Sequence, residues 1–261
     1  MEKKLFVFDL DGTLLTSNNQ ILPSTIVALD YLKRDHTIML ATGRSRFLIQ
    51  DYLDQLSIKD YIVCNGSAAF LNDQQVYKNT LDKDKLASLL EYFHDQKIDI
   101  ALTGLDNFCR ISSFRVEKME QAMRSIGGLI PEYQPQFYQE NDIYQGLAFY
   151  DATNDQLFEK EYPEFRFVRW HQLFVDIVPN QGSKAVTLHE VAAELGISKK
   201  NIIAFGDENN DIEMLQEAGI GIAMGNANNS VKAVADFITR TNDDDGIVYA
   251  MEKLNLLQQK N

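Results

Sequence analysis

The chain has 261 residues, 45% of them hydrophobic, enough to build one large core or two smaller ones. Its formal charge is −13, from 25 basic against 38 acidic residues, with no visible cluster of lysine and arginine, which excludes a nucleic-acid or anionic-membrane surface. No uncharged run nears the roughly 18 residues of a bilayer span, Met1 to Lys4 bring no apolar signal-like segment, and Cys64 and Cys109 lack zinc-site spacing, so a cytoplasmic protein with free buried thiols is expected.

Leu5 to Phe8 is an apolar, β-rich run of the length of one strand buried on both faces. Asp9 and Asp11 then fall at its C-terminal end, where parallel α/β sheets bind ligands. Two acids there repel each other unless a cation or a proton balances them. Taken alone, Asp9-x-Asp11-Gly12 is equally a turn after a strand. Thr13 to Leu22 reads as a polar loop, and Pro23 starts a helix with Ala28, Leu29 and Leu32 on one face. Thr37 to Ala41 is a second buried strand ending at Thr42-Gly43-Arg44, before a helix from Ser45 to Leu56. Arg44 either caps that helix or extends toward an inserted unit. A third strand, Tyr61 to Cys64, stops at Asn65-Gly66, and the alternation predicts a parallel sheet with right-handed crossovers.

The order changes from Ala68 to Thr80, where two short β-like runs flank Asn72-Asp73 as a hairpin. Beyond it come a helix (Asp84 to Gln96), strands (Ile98 to Thr103, Phe108 to Ser112), a helix (Val116 to Ile126), a strand (Tyr144 to Tyr150), a helix (Asn154 to Tyr162) and a strand pair (Arg166 to Trp170, Leu173 to Val178). This is expected to be an inserted α+β domain over 82–180, hinged at Leu81 to Lys83 and Pro179 to Gly182, with 1–81 and 181–261 forming the core. Tyr144 and Phe149 are expected in its interior, and Trp170-His171 at a substrate opening.

From Ser183 the βα alternation resumes: helix to Leu195, strand Ile202 to Phe205, Gly206-Asp207, helix Asp211 to Ala218, strand Ile220 to Ala223, helix Asn229 to Ala235, strand Phe237 to Thr239 and helix Gly246 to Leu254. Asp243 to Asp245 supply negative charge ahead of that last helix. Gly219, Gly221 and Gly225 do not match the dinucleotide fingerprint and read as strand-end turns. His94, His171 and His189 have no partner at triad or metal spacing, and His36 sits at a strand start.

A doubly wound sheet sets the first strand of its second half beside its opening strand, which brings Asp207 next to Asp9 and Asp11, with Asp211 one helical turn away. Converging carboxylates make a hard-oxygen metal site, with Mg²⁺ the usual occupant. Thr42 and the backbone after it, Lys184 and Asn210 stand at strand and helix ends suited to phosphoryl oxygens, and a carboxylate facing phosphorus can act as a nucleophile.

In these motifs the chain resembles the haloacid dehalogenase superfamily, specifically Cof-type phosphatases with an α/β cap inserted after the third core strand. The resemblance rests on Asp9-Leu10-Asp11-Gly12-Thr13-Leu14, Ala41-Thr42-Gly43-Arg44, Lys184 and Gly206-Asp207-Glu208-Asn209-Asn210-Asp211, and extends to Asn65-Gly66 and to Asn242 through Gly246. It implies a doubly wound α/β core with a mobile α+β cap that closes over the leaving group and sets specificity. It also implies that Asp9 attacks phosphorus and that Asp11 protonates the leaving oxygen, then deprotonates the hydrolytic water. Leu10, Thr42, Gly43, Lys184 and Asn210 would hold the phosphoryl group; Asp9, Asp11 through its carbonyl, and Asp207 would bind Mg²⁺, with Asp211 behind. The expected activity is hydrolysis of a small phosphorylated metabolite, such as a sugar phosphate or phosphorylated cofactor. The alternatives are a phosphomutase on the same scaffold and a non-catalytic phosphate-sensing module.

Overall fold

The computed structural model describes residues 2–126 and 128–257, the side chains of 154–157 and of Trp170 excepted. The expectation for Trp170 therefore lies outside the described residues. The chain divides into two compact units: Met1–Arg44 with Ile49–Lys78 and Ser183–Asn261, and Ser45–Leu48 with Asn79–Gly182.

The first unit carries β1 (Leu5–Phe8), α1 (Pro23–Leu32), β2 (Thr37–Ala41), α2 (Gln50–Leu56), β3 (Tyr61–Val63), β4 (Ala68–Leu71) and β5 (Gln74–Lys78). The second carries α3 (Lys83–Asp95), β6 (Asp99–Thr103), β7 (Phe108–Arg110), α4 (Val116–Ser125), β8 (Glu132–Tyr133), α5 (Phe137–Glu140), β9 (Gln145–Phe149), α6 (Asp155–Glu161), β10 (Phe165–His171) and β11 (Phe174–Pro179). The first unit is completed by α7 (Lys184–Glu194), β12 (Ile202–Gly206), α8 (Ile212–Glu217), β13 (Ile220–Ala223), α9 (Asn229–Val234), β14 (Phe237–Ile238) and α10 (Gly246–Lys253).

The first unit's sheet runs β14-β13-β12-β1-β2-β3-β4-β5, parallel from β14 to β3, with the β4–β5 hairpin antiparallel at one edge. Its central strands are apolar throughout because both faces are covered. Leu5, Val7, Met39 and Ala204 pack with Leu188 and Val191 of α7 and Met214 and Leu215 of α8. Successive strand side chains point to opposite faces, and on the other face Phe8 stacks on Phe205, their ring centroids 4.8 Å apart. In the hairpin, Asn72 (φ 49°) and Asp73 (φ 61°) are both left-handed, the pairing a two-residue type I′ turn requires.

Parallel pairing of Leu5 with Ile202 and of Phe8 with Phe205 makes β1 the strand where the winding reverses. The Asp9 N–H donates to the Phe205 carbonyl at 3.0 Å, so the pairing continues one residue beyond β1 and sets Asp9 level with the end of β12.

The second unit holds a six-stranded sheet, β10-β11-β9-β6-β7-β8, antiparallel except between β7 and β8. Leu86, Leu89 and Phe93 of α3 pack with Phe158 of α6 against Ile100, Leu102 and Val175. Ala122 and Met123 of α4 pack with Leu147 and Phe174, whose positions alternate with those facing the larger cluster. Tyr144 is buried, and Phe149 is partly buried against the smaller cluster.

One local expectation is corrected. The helix expected from Ser45 is a single tight turn at Arg46–Leu48 followed by α2 from Gln50. The reason is that Ser45–Leu48 groups with the second unit, where the Phe47 N–H donates to the Leu105 carbonyl at 3.3 Å and Arg46 pairs with Asp106 at 2.6 Å. Asp243 to Asp245 precede α10, and two of them are also bonded: Asp243 accepts from the Ser17 N–H at 2.8 Å and Asp245 from the Ser24 hydroxyl of α1. Leu10 to Leu14 winds through one wide turn closed by the Leu15 N–H on the Leu10 carbonyl at 2.9 Å.

Candidate active site

The C-terminal ends of β1, β2 and β12 and the N-terminus of α7 converge in the first unit. A cation at a helix N-terminus opposes the helix dipole, and a buried lysine is costly unless paired. Lys184 is the first residue of α7, its side chain fully buried, and its Nζ donates to Asp9 Oδ1 at 2.6 Å and to Asp211 Oδ1 at 2.7 Å. Burial alone would lower its pKa; the Asp211 and Asp9 carboxylates outweigh that and raise it, so the ammonium is kept.

Asp9 is buried, and its pKa is raised by burial and by the neighbouring Asp211, with Lys184 opposing. Asp207 is pushed up to about 7, again chiefly by burial, against the lowering effect of the Thr13 hydroxyl that donates to its Oδ1 at 2.8 Å. One carboxylate oxygen from each of Asp9, Asp207 and Asp211 lies within 4.8 Å of the others. Three hard oxygen donors gathered around so little positive charge fit a divalent cation.

The four carboxylates differ in what they have left to offer. Asp211 is the most engaged: Oδ1 accepts from Lys184, while Oδ2 accepts from the N–H groups of Asp207 and Glu208 at 3.0 and 3.1 Å. It shapes the turn that carries Asp207. Asp11 points elsewhere, and both its oxygens accept from Arg44, Nε to Oδ2 at 2.8 Å and Nη2 to Oδ1 at 2.5 Å. Its carboxylate is therefore not part of the Asp9, Asp207, Asp211 cluster, and Arg44, read from the sequence as a cap or an arm, is its partner.

The wide turn after β1 passes close beneath Asp207. Gly12 has φ +77°, and a Cβ there would lie 2.2 Å from Asp207 Oδ2, so no side chain is accommodated without moving that carboxylate.

The expected phosphate-binding residues lie around the same edge. Leu10 and Thr42 are buried, Gly43 follows directly, and the Thr42 hydroxyl accepts from the Arg44 N–H at 3.1 Å. Asn210 Nδ2 donates to Asn65 Oδ1 at 2.9 Å, and the Asn65 N–H donates to the Thr42 carbonyl at 3.1 Å. Asn65 thus links the ends of β2 and β12 from a left-handed conformation (φ 54°) that asparagine tolerates. The next residue, Gly66, accepts the Thr187 hydroxyl of α7 and so anchors the helix that carries Lys184. Asn226, not singled out from the sequence beside Gly225, donates to Asp207 Oδ2 at 3.3 Å. The Asn-Gly and Gly-Asn pairs were the available signals for both positions.

Among the described residues no helix is long and apolar enough to cross a membrane.

The model of the haloacid dehalogenase-like hydrolases matches residues 6–251. YkrA of Bacillus subtilis (strain 168) is 35% identical over 262 residues, covering 99% of this chain and 100% of its own. The pyridoxal phosphate phosphatase YbhA of Escherichia coli (strain K12) is 30% identical over 269 residues, covering 95% and 97%. The solved structure of the sugar phosphatase BT4131 superposes with a TM-score of 0.83 at 26% identity, over 97% of this chain and 100% of its own.

Proposed function

The chain belongs to the haloacid dehalogenase-like hydrolases and is a phosphatase, and we propose that it hydrolyses small phosphomonoesters with Mg²⁺ through a phosphoaspartate on Asp9. The observation that carries this reading is the buried Asp9 carboxylate, held by Lys184 beside Asp207 and Asp211. A nucleophilic carboxylate has to approach a phosphoryl group of its own sign. Catalysis of such transfers is mostly positioning and charge neutralisation.

Asp9, the Asp11 carbonyl and Asp207 would hold the cation, with Asp211 bracing them; its chemistry is to offset phosphoryl charge. Lys184 steadies Asp9 and offers donors to the phosphoryl oxygens, which Thr42, the backbone of Leu10 and Gly43, and Asn210 also receive. Asp9 attacks phosphorus and the ester P–O bond breaks, while Asp11 gives its proton to the leaving oxygen. Asp11 then takes a proton from water, whose oxygen attacks phosphorus, breaks the bond to Asp9 and releases inorganic phosphate.

The substrates carried in the names of YbhA and BT4131, pyridoxal phosphate and sugar phosphates, support a small phosphorylated metabolite as substrate here. We assign selection of the leaving group to the second unit, and the cytoplasm as its place of action, consistent with two free buried cysteines.

The test is a screen of small phosphomonoesters for phosphate release with Mg²⁺ and with chelator, using the natural protein and Asp9→Asn. The expected result is release that needs Mg²⁺ and disappears in Asp9→Asn. Release that survives the substitution contradicts the nucleophile assignment, and isomerisation without release contradicts hydrolysis.

A further inference from the structure

Asn226 follows β13 and bonds the carboxylate oxygen of Asp207 that Thr13 does not. Its Nδ2 donates to the Gly12 carbonyl at 2.9 Å as well as to Asp207 Oδ2 at 3.3 Å, while its Oδ1 accepts from the Asn242 N–H at 3.0 Å. The amide has only one orientation that serves these partners. A backbone N–H can only donate and a backbone carbonyl can only accept, so Oδ1 faces Asn242 and the NH₂ group faces Gly12 and Asp207.

The position is built to deliver that amide. A Cβ on Gly225 would lie 2.7 Å from the Arg240 carbonyl carbon and the Thr241 nitrogen, so glycine is what lets the segment after β14 close on this turn. The Gly225 N–H donates to the Arg240 carbonyl at 2.8 Å, and Asn242 Nδ2 donates to the Leu15 carbonyl at 2.7 Å, just past the turn that contains Gly12.

We propose that Asn226 is a positioning residue for the metal centre, an inference that rests on the metal-dependent reading above. Thr13 fixes Asp207 Oδ1 and Asn226 fixes Oδ2, so the carboxylate cannot rotate about its own axis, and each oxygen keeps lone-pair capacity for a cation. The same amide locks Gly12, and with it the turn that presents Asp11, to Asp207. Groups that orient a metal ligand typically govern about 10–100-fold in metal affinity.

The competing account is that Asn226 only staples loops. Ser24→Ala separates the two, because it removes the hydroxyl that Asp245 accepts, a tie from α1 to the segment before α10 that lacks contact with Asp207. The measurement is the Mg²⁺ concentration giving half of the Mg²⁺-induced rise in thermal unfolding midpoint, with Mg²⁺ alone and no substrate, for the natural protein, Asn226→Ala, Ser24→Ala and Asp207→Asn. Asn226→Ala is expected to raise that concentration about tenfold, to leave KM for a phosphomonoester at saturating Mg²⁺ near its natural value, and to differ in the first respect from Ser24→Ala. Unchanged Mg²⁺ binding in Asn226→Ala, or an equal shift in Ser24→Ala, overturns the proposal. If Asp207→Asn also binds Mg²⁺ normally, the metal-site reading falls with it; if Asp207→Asn loses binding and Asn226→Ala does not, only the role of Asn226 is refuted.

Discussion

Arg44 holds both carboxylate oxygens of Asp11 in a two-pronged grip, at 2.8 and 2.5 Å. In that arrangement both oxygens are engaged with the guanidinium, so the acid step proposed for Asp11 would require the pair to open. The guanidinium then needs another anion, and a phosphoryl group bound at the same sheet edge offers one. Tyr52, whose ring centroid lies 5.7 Å from the Arg44 guanidinium carbon, is placed to keep Arg44 at this edge.

Lysine keeps the charge of Arg44 but loses the planar fork. Arg44→Lys is expected to lower kcat/KM about 10–100-fold, the value of one or two charged hydrogen bonds, with the larger part in KM. Steady-state kinetics at saturating Mg²⁺ check this, and unchanged constants would place Arg44 outside the substrate's reach.

Lys184 sits between two buried carboxylates, and its removal leaves them facing each other unpaired. Lys184→Met should cost the metal-free protein about 3–5 kcal/mol, as breaking a buried ion pair does. Denaturant unfolding in chelator measures it. Adding Asp211→Asn to Lys184→Met should restore part of the loss, because one of the stranded charges is gone.

The pKa of Asp207, pushed up to about 7 by burial, gives a pH dependence of definite sign. In the unfolded chain the group titrates near 3.8, so between about pH 4 and pH 7 the folded, metal-free protein holds the extra proton. The resulting contribution to stability is complete below about pH 4 and is lost as pH rises through about 7. A cation competes with that proton, so the Mg²⁺ requirement should fall as pH rises across the upper part of the window. Unfolding midpoints in chelator and Mg²⁺ titrations at pH 5, 6, 7 and 8 test both halves.

Gly12→Ala sets a methyl group 2.2 Å from Asp207 Oδ2 at a φ of +77°. The left-handed backbone alone costs about 1–2 kcal/mol, and the clash displaces Asp207. Loss of Mg²⁺ binding out of proportion to the drop in stability is expected, measured by parallel Mg²⁺ and denaturant titrations.

The carboxylates at the sheet edge were legible from the sequence because a buried parallel strand fixes where its last residue emerges. Once Leu5–Phe8 and Ile202–Gly206 are strands on either side of the reversal, Asp9 and Asp207 must be neighbours. Lys184 was legible for a related reason, as the first residue of a helix that starts at the same edge. The partner of Arg44 was not, since a long side chain at a strand end reaches several places and local pattern does not choose among them. Asn65 and Asn226 were masked by their own conformational usefulness: an asparagine beside a glycine is fully accounted for as a turn, and its side-chain bonds to distant loops leave no trace in spacing. The two-residue β8 and the four-residue α5 are too short to show any periodicity, and Ser45–Leu48 departs from its expected helix because its partners lie far away in sequence.

The account stands on Asp9 as the group that takes phosphorus. Rapid quenching during turnover of a small phosphomonoester, borohydride reduction of any acyl phosphate and mass spectrometry of the peptide containing Asp9 test that directly. The account predicts homoserine in place of aspartate at position 9, absent when substrate is omitted. Turnover that leaves Asp9 unmodified while another carboxylate is reduced would contradict it.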